Sequence, residues 1–443
     1  MKSPLSLTVR WLTTLRRRAA SRPAALVFVV AFVIRLVVAT VVAVSSDGAL
    51  FPDDRGYLQL ADRFANSDTA IWEFMSQEFM DDWGLMKVNA GFLLPVGYLF
   101  RLFGFHPLLG QVLSALAGAI TAAAVTVLVR RHASTTAALF SGLAIATFPS
   151  QVLWSSLVLK DSFTWMALAL LAMTLGWWTR QHGPGRFVQG FLMLLCVTVF
   201  LTHLRVHSLV VATIACVIAV LLAPQSQRML RIGGLLILLA FLPLSVNAGF
   251  FGSDLFVRLP GGMGNMRANM ALNANTAFGG PATTATPATT ATPATTANIG
   301  FISDLTYLPQ GLRVMLLDPL PHHLGKSPNL RYPFSEHIVW YPLLILALIG
   351  VRQRWRRLTP ELAFTLLVTG GLAIMWALVE GNFGTAYRHR GELVWGVAVF
   401  AGIGLDYLLN IWHPIFPGRK QESLGRHSRD TQQSSGMGMP PAP

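Results

Sequence analysis

The sequence predicts an all-α, polytopic membrane protein with about ten transmembrane helices. Hydrophobic residues make up 53% of its 443 positions, charged residues make up only 12%, and the mean hydropathy is +0.53. A soluble domain carries roughly 25% charged residues, so this composition places most of the chain in lipid. Apolar runs near the length that crosses a ~30 Å hydrocarbon core cover residues 24–45, 108–129, 134–150, 162–178, 187–202, 206–223, 231–248, 338–351, 361–379 and 393–411.

The distribution of charge predicts the orientation of these spans. If the N-terminus is cytoplasmic, every inner segment is rich in arginine, as the positive-inside rule requires. Of the 20 acidic residues, only Glu361, Asp406, Glu422 and Asp430 then fall on the inner side. We therefore expect a cell-membrane protein with both termini in the cytoplasm. The net charge of +14 is accounted for by inner arginines facing an anionic leaflet, and no nucleic-acid partner is expected.

Three regions follow from this pattern. Residues 1–23 form a basic cytoplasmic N-terminus, residues 24–411 the transmembrane domain, and residues 412–443 a disordered cytoplasmic tail. Two outer loops are large, at 46–107 and 249–336.

The two outer loops differ in character. In the first, Tyr57, Leu60, Ala61 and Phe64 recur at helical spacing and predict a helix on the membrane surface. The apolar run 92–100 is too short to span the membrane and is expected at the interface. In the second loop, a Pro/Ala/Thr repeat at 281–297 predicts an extended or disordered segment.

An acidic pair, Asp53 and Asp54, follows the first span. One aspartate would serve to cap the helix that follows, but two adjacent carboxylates lie at the outer surface. Either could take a proton from an incoming hydroxyl group. The pair is therefore our first candidate for a catalytic base.

A second candidate site lies in the outer turn before the fourth span, where Lys160 and Asp161 are adjacent. The dipeptide could simply mark the start of a helix. Alternatively, Asp161 joins the acidic pair at a shared site, and Lys160 offsets the charge of a phosphate.

The third candidate is the segment 380–390, just before the last predicted span. Gly381 and Gly384 permit a tight backbone path, and Arg388, His389 and Arg390 follow. Such cations could snorkel to lipid headgroups, but the chain otherwise keeps its arginines on the inner side. Arginine forks suit phosphate oxygens, so we expect a site for a lipid phosphate here.

Several weaker features complete the candidates. Arg205 lies between His203 and His207 in a short outer turn and is a further candidate for phosphate binding. His322 and His323 lack a third spaced ligand. The chain has no phosphate-binding glycine loop, zinc-ligand spacing or serine-hydrolase elbow. No cofactor is predicted with certainty, and a divalent metal remains possible.

These parts, in this order, resemble the GT-C superfamily of integral-membrane glycosyltransferases. The resemblance is to bacterial members related to protein O-mannosyltransferases and the lipid A aminoarabinose transferase. Asp53-Asp54-Arg55-Gly56-Tyr57 is similar to the acidic motif of their first outer loop, with Asp where Glu is usual. The run 95–104, ending in Phe-Gly, resembles their juxtamembrane helix. Pro149, Ser155 and Asp161 resemble the second outer loop, and 381–390 resembles a segment before the last helix of some relatives.

The resemblance implies transfer of a sugar from a polyprenyl-phosphate donor, on the extracytoplasmic face, to a lipid, glycan or protein acceptor. It also implies a first-loop aspartate as base and inversion at the anomeric carbon. Two other classes stay open. A polymerase or ligase acting on lipid-linked polysaccharide would depend on Arg205 and Arg388 and little on the acidic pair. A lipid carrier or transporter would place polar residues deep in several spans, where this chain has few besides Arg35.

Overall fold

A computed structural model describes residues 22–68, 89–180, 183–222, 232–233, 267, 301–321 and 331–412. Helices make up the regular structure of these residues, and no β-strand occurs among them. The predicted fold class is confirmed. The helices are α1 (Pro23–Ser45), α2 (Pro52–Ala65), α3 (Ala90–Phe103), α4 (Pro107–Arg130), α5 (Thr135–Thr147), α6 (Pro149–Trp154), α7 (Asp161–Trp178), α8 (Pro184–Thr202), α9 (Val206–Leu221), α10 (Phe301–Leu317), α11 (Arg331–Arg354), α12 (Pro360–Val379) and α13 (Phe383–Trp412).

Six helices of the described part are long and apolar enough to cross a membrane, namely α1, α4, α8, α11, α12 and α13. The predicted span 231–248, the repeat at 281–297 and both termini lie outside the described residues, so the number ten remains a prediction. Helices occur in both segments of the first predicted outer loop, as α2 and α3, and their position at the membrane surface remains a prediction. Within the predicted outer loop 249–336, α10 packs against α12 and α13, and this helix was not predicted.

The predicted span 134–150 is broken in the structure. α5 ends at Thr147, and α6 begins at Pro149. Proline has no backbone N–H to continue the helical ladder, and it pushes the preceding residue into extended geometry. Phe148 accordingly has φ −63° and ψ 122°. The break leaves carbonyl groups of α5 without helical partners.

Arg35 occupies this break, which explains how a charged residue sits in the middle of α1. Its Nη2 donates to the Ile145 carbonyl at 3.0 Å, its Nη1 to the Ala146 carbonyl at 3.1 Å, and its Nε to Ser155 Oγ at 2.6 Å. The helical partner of the Ile145 carbonyl would have been Pro149, which has no N–H. A cation at a helix C-terminus also complements the helix dipole. Arg35 therefore serves the packing of α1, α5 and α6.

The last predicted span begins ten residues earlier than expected, and here the prediction was wrong. Residues 383–392, expected as a glycine-containing approach loop, form the first turns of α13. Asn382 caps the helix, because its Oδ1 accepts from the Gly384 amide at 2.9 Å. Arg388, His389 and Arg390 consequently lie on a helix and point in different directions.

Candidate active site

One end of the helix bundle gathers four segments that are far apart in sequence. They are the start of α2, the turn into α7, the turn between α8 and α9, and the first turns of α13. Successive membrane-spanning helices run in opposite directions, so these starts and turns meet at the same end of the bundle. The opposite end gathers His132, Arg180, Arg354 and Glu361. The positive-inside prediction makes the first end the outer one.

Five charged side chains form an alternating chain at the outer end, which we call the outer charge chain. Its members, in spatial order, are Glu392, Arg205, Asp161, Arg388 and Asp53. It links α13 to α9, α7, α13 again and α2. Two arginines and three acids give it a formal charge of −1 when all are ionised.

Asp161, the first residue of α7, is the centre of this chain. Its side chain is fully buried. Arg205 Nη2 donates to Oδ1 at 2.9 Å, and Arg388 Nε and Nη2 donate to Oδ2 at 3.0 and 2.7 Å. A buried charge is tolerated only when it is paired and hydrogen-bonded, and both oxygens of Asp161 meet that condition. Asp161 is thus an anchor for two guanidinium groups.

Arg205 is held from the other side by Glu392. The two form an ion pair, and Ser208 Oγ donates to Glu392 Oε2 at 2.8 Å. Arg205 and Glu392 are both buried. Arg205 is therefore buried between two carboxylates, and its part in phosphate binding remains a prediction.

Asp53 and Asp54 have different surroundings although they are adjacent. Asp54, the third residue of α2, accepts from the backbone amides of Leu50, Phe51 and Arg55, each at 2.9 Å, and so satisfies donors at the N-terminus of the helix. Burial raises the pKa of Asp54, and these three amide bonds oppose the shift. The side chain of Asp53 is 59% exposed and accepts from Arg388 Nη1 at 2.5 Å. Of the two aspartates, Asp53 is therefore the one that is exposed to solvent and contacts Arg388.

Lys160 and Tyr57 add two further groups near Arg388. Burial, and after it the neighbouring Arg205 cation, lowers the pKa of Lys160 to about 7. Its Nζ donates to Asn89 Oδ1 at 2.8 Å. Burial raises the pKa of Tyr57 to about 12, so its hydroxyl stays neutral and can donate a hydrogen bond.

His389 is not a member of the outer charge chain; it pairs with Glu380 and stacks on Trp376. It bonds through Nδ1 to Glu380, which also accepts from Thr385 Oγ1 at 2.5 Å. The His389 ring stacks on Trp376 with centroids 3.7 Å apart, and the Arg205 guanidinium lies 5.4 Å from the same ring. His389 is therefore a neighbour of Arg205 through Trp376, with a carboxylate partner of its own.

Arg390 does not join Arg388. Two residues along an α-helix correspond to a rotation of about 200°, so the side chains leave on nearly opposite faces. Arg390 is buried and donates to the carbonyls of Met315 at 2.8 Å and of Asp318, and to His337 Nε2 at 3.1 Å. It ties α13 to α10 and α11. The structure thus gives the expected phosphate-binding pair two separate positions.

Several residues of this end were not singled out from the sequence. Glu392 sits where we had expected the last span to begin, and Trp154 lies with its ring 5.8 Å from the Arg388 guanidinium. Glu336, in α11, accepts from the Ser150 amide at 2.7 Å and from the Tyr387 hydroxyl at 2.8 Å. The sequence signal that could have identified Glu336 and Glu392 is that each is an acidic residue at the edge of an apolar run.

A metal centre is not evident in the part of the chain that the structure describes. No three of its His, Cys, Asp or Glu residues are grouped as ligands there. His322 and His323 lie outside that part, so the dependence on a divalent metal remains a prediction from the sequence.

Comparison with known proteins identifies the fold. No family model and no curated protein sequence matches the chain. Among solved structures it is similar to ArnT from Cupriavidus metallidurans in the apo state, with a TM-score of 0.54 and 12% identity over 91% of this chain and 66% of that one. It is also similar to the same protein bound to undecaprenyl phosphate, with a TM-score of 0.50 and 12% identity over 91% and 61%.

A third similar structure is the archaeal oligosaccharyltransferase AglB from Archaeoglobus fulgidus, with a TM-score of 0.46 and 13% identity over 94% of this chain and 54% of that one. The chain spans less than two thirds of the length of each of these neighbours. We take the fold from the two ArnT structures, which confirm the resemblance noted in the sequence. The chain thus has a multi-pass membrane fold like that of the ArnT structures, as the GT-C-like fold class expected from the sequence requires.

Proposed function

We propose that the protein is a membrane glycosyltransferase that moves a sugar from a polyprenyl-phosphate donor to an acceptor on the extracytoplasmic face. The observation that carries this proposal is the placement of Arg388. Its side chain is 14% exposed at the predicted outer end, and an ion pair with the buried Asp161 fixes its position. A fixed guanidinium at the end of the membrane-spanning helices suits a phosphate that is anchored in the membrane.

The chemistry is a single displacement. An oxygen of the acceptor forms a bond to the anomeric carbon while the bond from that carbon to the phosphate oxygen breaks. The electron pair leaves with the polyprenyl phosphate, and the hydroxyl proton goes to a base. Attack opposite the leaving group inverts the anomeric carbon. Arg388 stabilises the charge that develops on the leaving phosphate, the kind of electrostatic help that often dominates catalysis.

We assign the base to Asp53 rather than to Asp54 or Asp161. Asp54 is bound to three backbone amides, and Asp161 is closed between two arginines. Asp53 is exposed and within reach of an incoming acceptor. Lys160 and the Tyr57 hydroxyl are placed to add donors to the phosphate.

The class of donor in this proposal is taken from ArnT, which was solved with undecaprenyl phosphate. At 12–13% identity this likeness extends to the fold alone. The acceptor is therefore left as a lipid, a glycan or a protein.

The test is a transfer assay on the purified full-length chain in nanodiscs. A panel of radiolabelled polyprenyl-phosphate sugars is offered with lipid, glycan and peptide acceptors, and released polyprenyl phosphate is measured alongside labelled product. We expect transfer with at least one donor and loss of transfer in Arg388→Ala. Absence of transfer and of polyprenyl-phosphate binding would overturn the proposal. Transfer that depends on Arg388 but not on Asp53 would favour the lipid-linked polymerase or ligase instead.

A further inference from the structure

Arg388 has no free charge to offer in the structure. Its Nε and Nη2 donate to Asp161, and its Nη1 donates to Asp53. Together with Glu392 and Arg205 it belongs to a chain whose formal charge is −1. A phosphate that approaches this site meets an arginine already neutralised by two carboxylates.

The two carboxylates on Arg388 differ in how easily they can leave. Asp161 is fully buried, and Arg205 holds its second oxygen, so its departure would strand a charge in the protein interior. Asp53 is 59% exposed, pairs with Arg388, and can turn into water. An ion pair with one well-solvated partner costs less to break than a fully buried pair. The Nη1 corner of Arg388 is therefore the replaceable one.

We propose that the donor phosphate and the Asp53 carboxylate exchange on Arg388, so that binding of the donor releases Asp53 to act as the base. This inference rests on the proposed function and adds an order to it. Before the donor binds, Asp53 shields Arg388 and is itself held. After the donor binds, phosphate oxygens take the Nη1 corner while Asp161 keeps the opposite edge. The freed carboxylate then takes the acceptor's proton only when a donor is in place.

The exchange predicts opposite effects for the two aspartates on binding of a polyprenyl phosphate. Replacing Asp53 by Asn removes the competitor, and we expect binding to tighten by up to about fivefold, the upper range of an exposed ion pair. Replacing Asp161 by Asn removes the support of Arg388, and we expect binding to weaken. A base that only touched the acceptor would leave donor affinity unchanged when mutated.

The experiment measures the dissociation constant of undecaprenyl phosphate with the full-length protein in nanodiscs. The matched control is Asp62→Asn, which removes the same charge from the same helix at a residue bonded to Asn66. Steady-state assays with an active donor add a second measure. There Asp53→Asn should lower kcat and lower KM for the donor together, whereas Asp62→Asn should leave both near the wild-type values.

Two negative outcomes are distinct. Wild-type protein that neither binds the probe nor transfers sugar would overturn the proposed function and the exchange with it. Wild-type protein that does both, while Asp53→Asn binds no more tightly than Asp62→Asn, would overturn the exchange alone. A folded Asp53→Asn variant is expected because the residue is exposed, and size-exclusion and thermal-melt profiles matching wild type check this.

Discussion

Each end of the bundle buries an acid that lies at the start of a helix and contacts two basic side chains, and these two acids have different surroundings. At the outer end, Asp161 begins α7 and lies between Arg205 and Arg388. At the other end, Glu361 lies in the first turn of α12 and contacts Arg180 and His132, the latter at 2.9 Å. Both acids complement a helix N-terminus.

The difference lies in what each cluster leaves available. Burial, followed by the Arg180 and Arg354 cations, lowers the pKa of His132 to about 4, so its bond to Glu361 is that of a neutral imidazole. The carbonyl of His132 accepts from Arg354 Nη2 at 2.6 Å. These contacts tie α4, α7, α11 and α12 together. At the outer end, by contrast, Asp53 is exposed while it pairs with Arg388. We infer that buried charges at one end hold the bundle, and that those at the other end also hold a ligand.

The largest expected effect on sugar transfer is that of Asp53→Asn. Loss of an oriented base should lower kcat by about 10²–10⁴-fold, while Asp62→Asn changes it little. Turnover measured with a saturating donor checks this. Near-normal turnover would remove the functional distinction between the two ends and point to the polymerase or ligase.

The next effect separates Arg388 from Arg390, which the sequence had grouped. Charge-assisted hydrogen bonds contribute about 1.5–3 kcal/mol. Arg388→Ala should therefore weaken undecaprenyl phosphate binding by roughly tenfold to a hundredfold, and Arg388→Lys should recover only part because a lone ammonium lacks the fork. Arg390→Ala should lower the melting temperature, because it removes the hydrogen bonds to the carbonyls of Val314, Met315 and Asp318, and should change affinity by less than about twofold. Equal losses of affinity in both variants would contradict the separation.

A smaller effect is expected from Lys160 and depends on pH. With its pKa lowered to about 7, Lys160 carries a positive charge below that pH and loses it above. Its contribution to phosphate binding should therefore be present at pH 6 and fade by pH 8, by roughly twofold to tenfold. The measurement is the ratio of wild-type to Lys160→Met affinity at each pH, which cancels titration of the ligand. A ratio that stays constant across this range would exclude Lys160 from the phosphate site.

The smallest effect on transfer is expected at the opposite end. Glu361→Gln should reduce stability by about 1–3 kcal/mol, less than a fully buried pair because Arg180 is 46% exposed and can be solvated. The melting temperature should fall, while kcat per folded molecule stays within about twofold of wild type. A loss of kcat comparable to that of Asp53→Asn would show that the two ends are coupled.

The sequence by itself determined the membrane class, the helical fold and the distribution of charge between the two ends. Each of these depends on local properties, such as hydropathy over about 20 residues or the sign of a loop. The sequence also identified Asp53, Asp161, Arg205 and Arg388 as unusual, because charge at an outer membrane edge is costly without a purpose.

Only the tertiary structure decided how these residues are connected. The backbone amides of Leu50, Phe51 and Arg55 point to Asp54, and this leaves Asp53 as the exposed aspartate. Arg388 and Arg390 were separated by a helix that begins at Phe383, a boundary set by the Asn382 cap rather than by hydropathy. Glu392 and Glu336 gained partners from helices far away in sequence. Burial and pairing of charge are properties of the assembled bundle, because they arise only when distant helices pack.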